Sequence, residues 1–167
     1  MGRTENVRPL LSILDQAYDH RSWHGTNLRG SIRRVSIEQA AWRPAPGRHN
    51  IWEIVVHAAY WKYVVWRRLA RQPRGTFPLE GSNWFRRPQE SSQAAWRADL
   101  ALLDDMHGLL RAAAARLPAA ALARKFPGSR ETRFSLLSGA AAHDVYHAGQ
   151  IQLLKKLSTR ARASGGR

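Results

Sequence analysis

Apolar residues recur every three or four positions in four long stretches of the chain, which is the spacing of helices with one buried face. We predict a first helix over Asn6 to His20 with a continuation over Thr26 to Val35, a second from Asn50 to about Ala70, a third from Ser91 or Ser92 to Pro118, and a fourth from Ser135 to Leu157. No convincing strand pattern competes with these stripes. The chain is therefore predicted to be all-α, a four-helix bundle.

The second helix has the clearest predicted start. Asn50 can accept a hydrogen bond from the first turn, and Glu53 stands where a capping box would place it. Two prolines and a glycine in residues 44–47 prevent helix just before this point. The sequence therefore predicts a loop that feeds directly into a well-capped helix.

Two irregular connections separate the later helices. Residues 71–90 contain several prolines and glycines, and a loop of this length in a small domain is typical of a functional segment or a lid. Its aromatic residues Phe77, Trp84 and Phe85 are candidates for a pocket wall, although ordinary packing is favoured. The second connection, residues 118–134, has a predicted turn at Pro127-Gly128. We expect one domain over residues 1–157 and a basic, disordered tail over 158–167.

The absence of cysteine restricts the available chemistry. Among the 167 residues there are 0 cysteines, so disulfides and thiolate metal ligands are excluded, and any metal must use histidine, carboxylate or water. The first residues show no leader peptide pattern, and no apolar run is long enough for a membrane span. We therefore expect a cytoplasmic protein with no membrane partner.

The chain is strongly basic, with 27 Lys and Arg against 12 Asp and Glu and a formal net charge of +15. Its arginines are scattered along the sequence and form no dense block with interleaved aromatics, which disfavours a nucleic-acid partner. A solvated arginine surface is the favoured interpretation. The positive field would still assist a small anionic substrate.

Two histidines near the C-terminus are the main candidates for chemistry. His143 and His147 stand four residues apart on the apolar face of the fourth helix, so both side chains project from one side. His57 occupies a similar apolar stripe on the second helix. Each alone is more often a satisfied core histidine, but three on two inward faces favour a metal site. Three histidines leave a coordination position open, which is typical of catalytic sites.

The other histidines are weaker candidates for metal ligands. His20 and His24 are also four apart, yet their surroundings are polar, so they are predicted to lie at the surface or at the rim of a pocket. His49 precedes the capping residue, and His107 lies on the third helix. Neither has a convergent partner in the sequence.

Three neighbours of the pair are candidate supporting residues. Asp144 replaces the Glu of the His-Glu-x-x-His pattern, and helix geometry points it about 100° away from His143, so a protease-type base is not supported. It is predicted to lie on the helix surface or behind a ligand. Gln150 is a candidate to hold a ligand imidazole or a water, or simply to line the bundle. Tyr146 is a candidate hydroxyl donor, with packing favoured.

These residues carry a family resemblance. Trp42-Arg43-Pro44, the segment from Asn50 to Trp61 with His57, and the run from His143 to Ile151 resemble the DinB-like, or YfiT-like, superfamily of metal-dependent hydrolases and thiol transferases. The resemblance implies an up-down-down-up four-helix bundle, commonly a homodimer. It also implies a divalent metal, usually zinc or nickel, held by three histidines, which here would be His57, His143 and His147. Better-understood relatives use low-molecular-weight thiols such as bacillithiol or mycothiol.

Two classes of function follow. In the first, the chain is a metal-dependent enzyme that activates a thiol, as in S-transfer, or a water molecule, as in hydrolysis, against a small-molecule substrate. Because the sequence shows no obvious inward carboxylate to act as a base, thiol transfer is slightly favoured. The alternative is a non-catalytic basic binding or interaction protein with a structural or vestigial metal site.

Overall fold

The computed structural model describes residues 7–165, apart from the side chains of Arg162 and Ser164. The helices are α1 (Arg8–Tyr18), α2 (Leu28–Ile32), α3 (Ile37–Ala41), α4 (Ile51–Leu69), α5 (Gln93–Ala115) and α6 (Arg133–Gly165), with a short 3₁₀ turn at Ala119–Ala121. Extended pairing within this range is confined to the isolated bridge between Lys125 and Thr132. The all-α prediction is confirmed for this part of the chain. The predicted start at Asn6 and the last two residues of the predicted tail lie outside it.

Short polar side chains set the starts of several helices. Asn50 accepts a hydrogen bond from the backbone N–H of Glu53 at 2.8 Å, and Ser92 accepts one from Ala95 at 3.1 Å. These contacts satisfy backbone donors that the first turn of a helix leaves free. Both predicted caps are confirmed. Ser36 caps α3 in the same way, a helix that was not predicted.

The predicted helix over Thr26 to Val35 is shorter than expected. Asn27 caps α2, so the helix begins at Leu28, and it ends at Ile32. Arg34 then adopts a φ of 60°, in the left-handed region that interrupts a helix. Lys155 on α6 donates hydrogen bonds to the carbonyl oxygens of Ser31 and Arg33, at 2.9 and 3.0 Å. The end of α2 is therefore closed by a side chain from a distant part of the sequence.

The predicted end of the last helix at Leu157, with a disordered tail after it, is wrong for the described residues. α6 continues to Gly165, and Ser158 is fully buried. Gln39 on α3 donates a hydrogen bond to the Ser158 hydroxyl at 3.2 Å. The glycine and basic composition indicated a tail, but arginine and alanine are good helix formers, and Gln39 of α3 contacts the extended part of the helix.

The long helices share one interior. α4 packs most extensively on α5, and α6 lies against α1, α2 and α4. Two groups of buried apolar side chains fill this interior, one around α2, α4 and α5 and the other around α1, α5 and the first half of α6. Within residues 7–165, no helix combines the length and apolar character that a membrane crossing requires. The packing brings the first half of α6 against α4.

Candidate metal centre

Three imidazole rings converge between α4 and α6. The Nε2 atom of His143 lies 3.1 Å from Nε2 of His57 and 3.0 Å from Nε2 of His147. These three residues form the group of potential metal ligands found in the described part of the chain, with their ligand atoms all within 4.8 Å of one another. The structure thus brings together the three histidines that the sequence singled out.

His57 is oriented by the long loop that follows α4. Its Nδ1–H donates to the backbone carbonyl of Asn83 at 2.8 Å, which leaves the lone pair on Nε2 facing the other two rings. Asn83 is itself held, because its side-chain oxygen accepts a hydrogen bond from the Trp61 indole at 2.9 Å. Its φ of 64° is one that Asn tolerates better than most residues. The loop therefore fixes both the tautomer and the direction of the His57 ring.

A tryptophan from the same loop covers His57. The ring of Trp84 stacks on His57 with 3.8 Å between centroids, and its other face stacks on His49 at 3.6 Å. Trp84 was named in the sequence only as a loop aromatic for which packing was favoured. Nothing in the sequence signals the contact, because it depends on how residues 71–90 fold back over α4.

His147 is oriented from its own helix. Its Nδ1–H donates to the side-chain oxygen of Gln150 at 2.7 Å, and the Gln150 amide donates to the Tyr146 hydroxyl at 3.0 Å. Of the roles weighed for Gln150, holding an imidazole is the one that the geometry shows. Tyr146 acts as an acceptor in this contact, and most of its side chain is exposed.

Burial keeps the three rings neutral at physiological pH. It lowers the pKa of His143 to about 3, with a further contribution from the neighbouring His147 and His57, and the pKa of His147 to about 4. The pKa of His57 is lowered as well, again chiefly by burial. A neutral imidazole is the form that binds a metal ion.

The donor set fits a divalent cation. Three neutral imidazoles bring their Nε2 atoms close together, an arrangement that is unfavourable for the nitrogens alone but suits a positive ion. A zinc ion about 2.0–2.1 Å from each nitrogen, in tetrahedral geometry, would separate the nitrogens by about 3.3 Å, close to the two separations observed. With three protein ligands, a fourth position stays open.

Of the two positions predicted for Asp144, on the helix surface or behind a ligand, the surface position is wrong. Its side chain is fully buried and forms an ion pair with Lys62 of α4, whose side chain is only 2% exposed. The Lys62 ammonium also approaches Nδ1 of His107 at 3.4 Å, and the His107 ring stacks on Tyr18. The carboxylate therefore belongs to a buried polar cluster beside the three histidines.

The remaining histidines are not among the three converging rings. His20 and His24 are exposed, and His20 pairs with its neighbour Asp19 at 2.6 Å, as expected for surface residues. His49 hydrogen-bonds to the Glu53 carboxylate at 2.8 Å. That carboxylate also binds Arg43, so it does not reach back to Asn50 as a capping box requires. Arg43, from the Trp-Arg-Pro motif, thus anchors the loop before α4.

The family of this chain can be stated once the site is described. A family model described as the DinB superfamily matches residues 20–151, which include His57, His143 and His147. No curated protein and no solved structure matches the chain. The match covers well over half of the sequence and agrees with the helical fold and the convergence of the three histidines, and the chain therefore belongs to the DinB superfamily.

Proposed function

We propose that this protein is a metal-dependent enzyme in which His57, His143 and His147 hold one divalent cation, zinc or nickel. The observation that supports it is the approach of three Nε2 atoms to about the separation expected around one ion. We include in the proposal that α1, α4, α5 and α6 form an up-down-down-up four-helix bundle. Its middle would carry the ligands.

The cation would supply Lewis-acid activation, lowering the pKa of a thiol or a water molecule at the open position. The chain's own residues hold and orient the ligands. Asn83 and Gln150 accept the Nδ1 protons of His57 and His147, so these rings keep their donor atoms directed inward. Trp84 covers one side of His57 and limits the approach of water from that side.

Between the two reactions, thiol transfer is favoured. Hydrolysis benefits from a carboxylate that removes a proton from water. Asp144 is the carboxylate adjacent to a ligand in sequence, and it is occupied by Lys62. A thiol activated by a cation needs no such base. A small-molecule electrophile and a low-molecular-weight thiol are therefore the proposed substrates.

Metal content tests the proposal directly. Untagged protein should contain about one zinc or nickel per chain by elemental mass spectrometry, and His57→Ala, His143→Ala or His147→Ala should lose it. His24→Ala is the matched control, because His24 is exposed and should retain the metal. Wild-type protein that stays metal-free after addition of zinc or nickel would contradict the proposal and support the binding-protein alternative.

A second measurement separates the two reactions. With a neutral electrophile, thiol transfer consumes a low-molecular-weight thiol in proportion to product. Hydrolysis forms product at the same rate whether or not the thiol is present. The first result is expected.

A further inference from the structure

An apolar cavity of about 280 Å³, open to solvent on one side, lies between α4 and the first half of α6, and His143 forms part of its wall. The same histidine is the central member of the three-histidine cluster, so the cavity opens beside the proposed cation position. Its other principal lining residues are Trp61, Lys62, Val65, Leu136 and Gly139.

Gly139 lines the cavity on the α6 side and has no side chain to fill it. It lies one helical turn before His143, and the α6 positions that line the cavity form one face of the helix. A glycine within a helix is about 1 kcal/mol less favourable than alanine. A Cβ built at position 139 would meet no atom within 4 Å, so local crowding does not require glycine here. The glycine instead leaves open space next to the histidine.

The cavity wall on α4 is held in place by a hydrogen bond to the loop that follows this helix. The Trp61 indole donates to the Asn83 side chain at 2.9 Å, and its ring centroid lies 6.5 Å from that of His143. Because the same loop residue also orients His57, the cavity wall and one proposed ligand are held by a common contact. Such a preformed apolar site favours small ligands.

The charged side chains that line the cavity disfavour an anion as long as no metal is bound. Lys62 is paired with Asp144, so its positive charge is already balanced. Glu131 also borders the cavity, and its carboxylate accepts a hydrogen bond from the Ser135 hydroxyl. While no metal is bound, an anionic ligand would meet this carboxylate, and the residues that line the cavity offer no free cation to offset it. The volume exceeds that of an apolar cavity of about 150 Å³ that accepts benzene.

We propose that this cavity is the subsite for the electrophilic substrate and that it takes a single uncharged aromatic ring with a small substituent, placed beside His143. The inference rests on the proposed function, since it assumes that a cation bound by the three histidines acts on the group held here. The substrate class is thus a small neutral aryl electrophile.

Binding of three probes that share one ring tests the inference: toluene, benzoate and benzylammonium. In two-dimensional NMR of the metal-free protein, where no cation can bind a carboxylate probe, toluene should shift the Gly139 amide and Trp61 indole signals, and benzoate should bind at least tenfold more weakly. Benzylammonium should bind more tightly than benzoate, because Glu131 tolerates a positive charge. Gly139→Leu should weaken toluene binding at least tenfold and retain zinc. Gly108→Leu is the matched control, an exposed helical glycine on α5 with equally open space, and should bind toluene as wild type does.

The outcomes separate this inference from the proposed function. Unshifted signals with toluene, equal binding of benzoate, or unchanged toluene binding in Gly139→Leu would overturn the subsite while leaving a zinc-loaded centre intact. A wild-type protein that takes up no metal would overturn the proposed function, and the subsite with it. If Gly139→Leu does not fold, Gly139→Ala adds one methyl group and raises helix propensity, and should weaken toluene binding at least twofold.

Discussion

Gln150 shows at the scale of a single residue how the imidazoles are held. Its amide group is fixed at both ends, accepting from His147 and donating to Tyr146. A side chain behind a metal ligand fixes the ring orientation and raises its basicity, and loss of such a residue typically lowers metal affinity 10- to 100-fold. Gln150 thus supports a ligand without touching the proposed ion.

Gln150→Ala should therefore lower zinc affinity by about 10-fold or more, with little change in folding. Competition with a zinc chelator measures the affinity, and far-UV circular dichroism checks the fold. Gln152→Ala, two residues further along α6, is the control. Equal affinities for wild type and Gln150→Ala would show that the contact plays no part in metal binding.

At this scale the sequence predicted the three histidines well and their surroundings poorly. Helical spacing was enough to place His143 and His147 on one face, and a second apolar stripe was enough for His57. The same argument allowed a surface position for Asp144, which is wrong, because it assumed that the helix has one buried face. α6 contacts α1, α2 and α4, so residues pointing away from His143 are also buried. Lys62, which balances Asp144, comes from a distant segment that no local pattern connects to it.

At the scale of elements, the start of α4 is tied to two loops through one carboxylate. Glu53 accepts hydrogen bonds from Arg43, from His49 and from the backbone N–H of Arg87. Burial by itself would raise the pKa of Glu53, but the hydrogen bonds from Arg43 and His49 hold the pKa below its ordinary value. The charged form therefore stabilises the position of α4 and, with it, of His57.

Glu53→Gln should lower the free energy of unfolding by about 1.5–3 kcal/mol at pH 7, the usual range for hydrogen bonds to a charged group. Because the pKa is lower in the folded state, the contribution is fully present above the unfolded value of 4.5 and is lost as pH falls through the folded value. Urea unfolding at pH 7 and at pH 3–4 measures the difference in free energy of unfolding between wild type and Glu53→Gln. This difference should be smaller in acid, and the exposed control Glu90→Gln should show no difference from wild type at either pH. A deficit independent of pH would mean that packing, not charge, is lost.

The sequence predicted the helix boundaries that depend on neighbouring residues and missed those that depend on distant ones. Asn50 and Ser92 act on the turn immediately after them, so local sequence predicts the starts of α4 and α5. The ends of α2 and α6 depend on contacts between distant segments, Lys155 on Ser31 and Gln39 on Ser158. Such contacts leave no local pattern, and both boundaries were misjudged.

At the scale of the whole molecule, a buried polar cluster lies next to the three histidines. His107 is stacked on Tyr18 at 3.6 Å and approached by the Lys62 ammonium. Burial, followed by the nearby charge of Lys62, lowers the pKa of His107 to about 3. The folded protein thus keeps this ring neutral, whereas an unfolded chain binds a proton near pH 6.5.

Acid should therefore destabilise the fold. Since the His107 pKa is lowered on folding, its contribution is fully present above pH 6.5 and is lost progressively toward pH 3. Between pH 7 and pH 5, protonation of His107 in the unfolded chain should lower the free energy of unfolding by about 2 kcal/mol. His107→Phe keeps the stacked ring and removes the titration, so its loss of unfolding free energy over this interval should be about 2 kcal/mol smaller than that of wild type. Equal pH slopes in urea titrations would refute the assignment.

Asn83 and Trp84 contact His57, so the folding of the 71–90 loop and the binding of a metal ion by the proposed centre are thermodynamically coupled. A cation that favours the inward His57 ring also favours the folded loop, and reciprocity requires that loosening the loop weaken the cation's binding by the same free energy. The stability of the folded loop would then report the fraction of the protein that has metal bound. Amide hydrogen exchange at residues 83–87 should slow as metal is added, by a factor set by the concentration of the metal relative to its dissociation constant.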